Sequence, residues 1–126
     1  MDQSFGKEYK LCSKILIDKL FQEGKRLRFD PFSLVYLSME FDFKAPFQVL
    51  ISVPKKQFKR AHDRNYVKRR IREILRKNKG FLDLQQDTNN KILLAVVYNF
   101  NQQLTFAEME QKLVQSIQKL STKLTN

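Results

Sequence analysis

The alternation of apolar and polar positions changes period along the chain, and each period predicts an element. From Ser13, SKILIDKLFQEG places Ile17, Leu20 and Phe21 on one helix face, with Ser13 as N-cap and Gly24 as the stop. The run FSLVYLSM, residues 32–39, is rich in β-branched and aromatic residues and reads as a strand. After the polar, Pro-containing EFDFKAP, the run FQVLISV points Phe47, Val49, Ile51 and Val53 one way and Gln48 and Ser52 the other. Together the two runs predict an antiparallel hairpin with one better-buried face. Pro54 ends the second strand, since it cannot donate to a ladder, and there is room for another short strand before Arg64.

Further on, Val67, Ile71, Ile74 and Leu75 fall within an arc of about 100° on a helix over residues 64–79, wide enough to bury against a sheet. Asp63 is the expected N-cap. The loop FLDLQQDTNN then leads to KILLAVVY, whose unbroken apolar character predicts an interior strand covered on both faces. In LTFAEM, Thr105 and Glu108 form a capping box, with Leu104 and Met109 at the positions of a hydrophobic staple. Phe106, Met109, Leu113, Ile117, Leu120 and Leu124 continue as one apolar stripe, which core packing explains without a cofactor box. The order is helix, strand, strand, basic helix, strand, helix. It predicts an α+β sandwich in one domain over residues 1–126, with three helices on one mostly antiparallel sheet of three or four strands.

Charge changes this picture. The formal net charge is +11, and residues 55–79 hold twelve Lys or Arg against two acids, so nearly all of the excess lies in one fifth of the chain. On the helix, Asn65, Lys68, Arg69, Arg72, Arg76 and Lys79 form a second arc about 120° from the apolar one. A merely solvated face would intersperse acids at i,i+4 spacing, each pair worth about 0.2 to 0.5 kcal/mol. Here Glu73 lies off the arc, in reach of Lys77. Aligned cations a turn apart suit the phosphates of a nucleic acid, and Asn65 can reach a base edge, a sugar hydroxyl or a phosphate. An anionic membrane surface and a solvated face remain the other readings of the same charge.

Other chemistries find little support. Cys12 and His62 are the only residues of their types, which excludes an intramolecular disulfide and a Cys/His zinc site, and Cys12 is expected to be buried and inert. No paired carboxylates, metal-ligand cluster or nucleophile with its base stand out; Glu40 and Asp42 sit in a polar turn. The start MDQSFGKEYKLCS has no apolar signal region, and the longest apolar run, Ile92 to Tyr98, is far short of the about 20 residues of a spanning helix. The expectation is a soluble, cytoplasmic protein without a membrane partner.

The segment KKQFKRAHDRNYVKRRIREILR adds a specific resemblance. Lys55, Lys56, Ala61, Arg64, Asn65, Lys68, Arg69, Arg72 and Glu73 stand where the signature of the bacterial ribonuclease P protein component has them, and the chain resembles that family over about residues 11–122. The resemblance implies an α/β sandwich with a left-handed crossover between parallel strands through the basic helix. It also implies a division of labour. A large RNA subunit removes the 5′ leader of precursor tRNA, with Mg2+ at the RNA's own active site and no cofactor on the protein, while the protein binds that RNA and the leader. Carried over, Arg64, Asn65, Lys68, Arg69 and Arg72 would contact RNA, extended by Lys55 and Lys56, and Ile17 and Phe21 would line the leader cleft; Arg60 and Arg76 are expected to join the RNA face, and Phe32 or Tyr36 to add to the cleft, with plain core packing the competing reading for the aromatics. Tyr66 departs from the motif, which has a second Arg there, and Arg70 is the cation that could restore the charge. At Ile17, where the family often has an aromatic, an apolar cleft wall is preserved. On charge alone, a DNA-binding or ribosomal RNA-binding module is the alternative, but no helix-turn-helix partner or heptad region flanks the basic helix.

Overall fold

The computed structural model describes residues 9–40, 47–78 and 90–125. In chain order the elements are α1 (Lys14–Glu23), β1 (Lys25–Phe29), β2 (Phe32–Glu40), β3 (Phe47–Ser52), α2 (Ala61–Lys77), β4 (Asn90–Tyr98) and α3 (Phe106–Thr125). The strands form one sheet in the order β1-β2-β4-β3. β1 and β4 both pair antiparallel with β2, while β3 runs parallel to β4. Among the described residues, three helices on this mixed sheet agree with the α+β expectation.

The predicted hairpin between residues 32–39 and 47–53 does not form. β4 lies between those strands, because its apolar run can bury both faces only in the middle of the sheet. Ile92, Leu94, Val96 and Tyr98 enter one core cluster and Leu93 and Ala95 the other, each at most 1% exposed. The parallel β3–β4 pair needs a long crossover, and α2 lies within it. The hairpin that does form joins β1 to β2. β1 escaped the pattern because KRLRF buries only Leu27. No strand lies between Pro54 and Arg64; a turn closed by Gln57 N–H donating to Pro54 O at 3.0 Å leads into α2.

The sheet separates two cores of unequal size. On one face, Val67, Ile71, Ile74 and Leu75 of α2 and Met109, Leu113, Ile117 and Leu120 of α3 pack against Leu34, Phe47, Val49, Leu94 and their neighbours. On the other, Leu20 of α1 and Leu11 cover Val35, Leu93 and Ala95. Cys12, next to Leu11, is exposed and not buried as expected, since the chain turns outward there to begin α1.

Local signals account for the helix ends, with one exception. Ser13 accepts from Leu16 N–H at 3.3 Å, and Gly24 N–H donates to Leu20 O at 2.8 Å. Gly24 is extended, and its hydrogen serves close approach: a Cβ there would lie 2.4 Å from Leu20 O and 2.9 Å from Tyr36 O. At α3, Glu108 N–H donates to Thr105 Oγ1 and Thr105 N–H to Glu108 Oε1, both at 3.2 Å, completing the capping box. Leu104 and Met109 belong to the same core cluster, while the Leu124 side chain lies outside the described residues. The exception is α2. It begins at Ala61 behind Arg60, which makes no capping hydrogen bond, and Asp63 sits in the first turn and is not the N-cap. A missing cap costs about 1 kcal/mol, whereas each of the four buried α2 side chains gains about 1.5 to 3 kcal/mol, so packing decides where the helix lies.

Candidate nucleic-acid interface

α2 presents its cations in two directions. With Val67 taken as zero, Asn65, Lys68, Arg69 and Arg72 centre at about 150°, while Tyr66, Arg70 and Lys77 centre near −80°. The second flank meets α3. The Arg70 guanidinium lies 4.5 Å from the Tyr66 ring centroid and 5.9 Å from that of Phe106, and it donates to the Tyr66 hydroxyl. Lys77 Nζ is 5.6 Å from the Phe106 ring and pairs with Glu110 at 3.5 Å, and not with Glu73 as its spacing had suggested. Glu73 instead takes two bonds from Arg76, at 3.0 and 2.5 Å, because the planar guanidinium one turn on offers a fork that an ammonium lacks. This hydrogen bonding holds the Glu73 carboxyl below its ordinary range and pushes Arg76 up.

The first flank carries no such engagement. Asn65, Arg69 and Arg72 are exposed and Lys68 half-buried, and no hydrogen bond or ion pair holds them among the described residues. Arg64 behaves differently: its Nη1 donates to Phe58 O at 2.8 Å and Lys59 O at 2.9 Å, fastening the turn that enters α2. The macrodipole's penalty on a cation in the first turn is offset by two charge-assisted bonds. Lys55, Lys56 and Arg60 are exposed along that turn. Of the nine cationic and amide positions expected at the RNA face, Arg64 and Arg76 are thus tied to the chain itself. Lys79 lies outside the described residues.

A second surface lies on the α1 side of the sheet. Leu20 fills its centre, Ile17 is half-buried beside it, and Phe21 is 37% exposed at the margin. Phe32 and Tyr36 do not join it. Strand residues two apart share a face, and Phe32, Leu34 and Tyr36 point into the α2/α3 core, where Phe32 is fully buried and packs edge-on against Tyr98 at 5.5 Å. The residues that face α1 are the odd-numbered ones of β2. Ser33 pairs across to Val97, and Val97 to Ser52, forming a half-buried row at the sheet end from which Lys55 and Lys56 emerge. Asn99 Nδ2 donates to Ser33 Oγ at 2.7 Å at the end of this row.

Arg26 and Arg28 extend the same face across β1, opposite Val35 and Ser33. Both are exposed, and Arg28 pairs with Asp30 at 2.9 Å. They were missed with β1, although their alternation about Leu27 is the period that could have revealed them. Among the described residues no group of three or more His, Cys, Asp or Glu is placed to hold a metal ion, and no helix is long and apolar enough to cross a membrane. The Asp42 end of the acidic turn lies outside the described residues.

Known proteins resemble this arrangement in sequence and in fold. The ribonuclease P protein component of Porphyromonas gingivalis is 39% identical over 82 residues, a stretch covering 64% of this chain and 60% of that protein. The chain therefore aligns with less than two thirds of that relative's length. The component from Petrotoga mobilis is 35% identical over 85 residues, covering 68% of this chain and 69% of its own. The solved ribonuclease P protein of Thermotoga maritima superposes with a TM-score of 0.69 at 23% identity, covering 87% of this chain and 96% of that one, which shows the shared fold. A family model described as Ribonuclease P matches residues 5–121, and the chain belongs to the ribonuclease P protein family.

Proposed function

We propose that this chain is the RNA-binding protein subunit of a ribonuclease P ribonucleoprotein, a tRNA-processing endoribonuclease in which the RNA subunit performs the cleavage. The observation that carries this reading is the free flank of α2. Asn65, Lys68, Arg69 and Arg72 are held in line by the buried arc behind them and directed away from α3, with no partner among the described residues. Such a row neutralises successive phosphates at little entropic cost, because the helix is already ordered. Lys55, Lys56 and Arg60 continue it toward the sheet end. The proposed partner of this face is the ribonuclease P RNA.

The proposed site for the single-stranded 5′ leader of precursor tRNA is the α1 side of the sheet. Ile17 and Phe21 form its wall, and Ser33, Val97 and Ser52 its floor. The exposed Phe21 ring can stack on a base, and the row of small side chains leaves the floor shallow. Mg2+ would be held by the RNA, where it would supply the activated water and stabilise the leaving oxygen; the protein's own residues bind and orient. A cytoplasmic location follows from this role.

Reconstitution tests the reading. Purified protein, a bacterial ribonuclease P RNA and precursor tRNA are combined at low Mg2+, and 5′ leader release is compared with RNA alone. Stimulated cleavage at the mature 5′ end is expected. Equal rates with and without protein would overturn the subunit reading in favour of a binding module without a role in catalysis, and cleavage by the protein without RNA would assign the chemistry to the chain itself.

A further inference from the structure

We infer that Tyr66, backed by Arg70, is a stacking platform for an unpaired base of the RNA bound along α2, an inference that rests on the proposed RNA-binding role of that helix. Tyr66 is 36% exposed, whereas Phe32, Phe47 and Tyr98 are fully buried. Its ring is nonetheless fixed. The Arg70 guanidinium covers it at 4.5 Å from the centroid and donates to its hydroxyl, and Arg70 is itself set against Phe106. A ring already immobilised loses little freedom when a base stacks on it, and a guanidinium on one face leaves the other for the base.

The position is suited to a nucleotide whose phosphate is already bound. Arg69 lies three residues on, about 60° around the helix, and residues at this spacing are neighbours with about 5 to 6 Å between their Cβ atoms. A phosphate held by Arg69 therefore brings its base within reach of the Tyr66 ring. Cation and aromatic side by side are the usual means of gripping single-stranded RNA. Fastening α2 to α3 does not account for the exposure: Phe106, which performs that task, is half-buried against the main core, while Tyr66 stands outboard of Arg70.

The test uses the full chain and ribonuclease P RNA transcribed from the Porphyromonas gingivalis sequence, with affinity measured at several salt concentrations and melting temperature measured in parallel. Tyr66→Ala should weaken binding about 5- to 150-fold, the loss of one base stack, by the same factor at every salt concentration, because a neutral ring releases no counterions. Tyr66→Phe, which keeps the ring and removes the hydroxyl, should retain most of the affinity. If Tyr66→Ala lowers only the melting temperature, the residue is a brace and the platform is refuted. A loss that shrinks as salt rises refutes it too, assigning the effect to displaced Arg70 charge. Arg72→Ala, run alongside, separates the two readings: a flatter salt dependence there with Tyr66→Ala silent overturns the platform alone, whereas silence from both overturns RNA binding by α2.

Discussion

Ile71 and Arg72 are consecutive residues with opposite expected roles, which makes them the sharpest probe of α2. Ile71 is fully buried between helix and sheet, so Ile71→Ala removes three carbon groups from a packed core. At about 0.8 kcal/mol per group the transfer loss alone is about 2.4 kcal/mol, and the residual cavity brings the expected destabilisation to about 3 to 4 kcal/mol. Arg72 is exposed and unpaired among the described residues, so Arg72→Ala should alter stability by no more than about 0.5 kcal/mol. For RNA binding the roles reverse. Losing one phosphate contact lowers the slope of log affinity against log salt by about 0.7 to 0.9, so the deficit of Arg72→Ala relative to the parent should shrink about 5- to 8-fold over a tenfold rise in salt. Ile71→Ala should leave that slope unchanged wherever it is folded. Urea unfolding followed by circular dichroism and filter binding over a salt series read the two quantities separately. An unchanged slope in Arg72→Ala, or an altered one in folded Ile71→Ala, would refute the division of the helix into a packing side and a phosphate side.

Other outcomes follow from contacts described above. Glu73→Gln should free Arg76 and steepen the same salt slope by up to about 0.7 to 0.9, measured on the same RNA. Gly24→Ala forces a Cβ against two carbonyl oxygens and disturbs the α1 stop, so a loss of about 2 to 4 kcal/mol is expected in urea unfolding; parent-like stability would show that α1 can shift freely. Thr105→Ala should cost about 1 kcal/mol through the capping box of α3. Burial pushes the Tyr98 hydroxyl, which donates to Gln102 O at 2.7 Å, up to about 12. The folded state therefore keeps a proton that the unfolded chain releases near pH 10. Stability should be intact below pH 10 and fall by about 2 to 3 kcal/mol as pH rises toward 12, and Tyr98→Phe should flatten that decline in alkaline melts.

Element positions were legible wherever the hydrophobic period was long. The α3 stripe and the alternation of β3 reappear because each buries several side chains at a fixed spacing, while the α1 face buries Leu20 alone, with Ile17 half-buried and Phe21 at the margin. β1 was harder to read: its alternation of Arg26 and Arg28 about Leu27 turns on a single buried residue, too short a period to stand out. The order of the strands was hidden for another reason. Pairing of β3 with β4 depends on a crossover of thirty-odd residues, and no local pattern encodes which neighbour a strand chooses. At the candidate site, Ile17 and Phe21 follow from the face they share with Leu20. Phe32 and Tyr36 were misassigned because β2 is apolar on both faces, so period alone does not say which set meets α1. Counting charges likewise cannot separate Arg72 from Arg64 and Arg76, whose guanidinium groups are engaged by the chain's own carbonyls and carboxylate.

The strand order has a further consequence for how copies of this chain behave toward each other. Every open sheet leaves two outer strands whose backbone groups can recruit a neighbour. On β3 that edge is partly closed by Leu11 N–H donating to Val49 O at 3.0 Å beside the Lys10–Val49 bridge. On β1 no segment covers it among the described residues, and Lys25, Arg26 and Arg28 are exposed along it instead. Two such edges approaching each other bring like charges together, so the open border repels its own kind. These exposed cations of β1 thus also guard the sheet against growing strand by strand into an aggregate, and neutralising them would trade solubility for stickiness even if every core contact were kept.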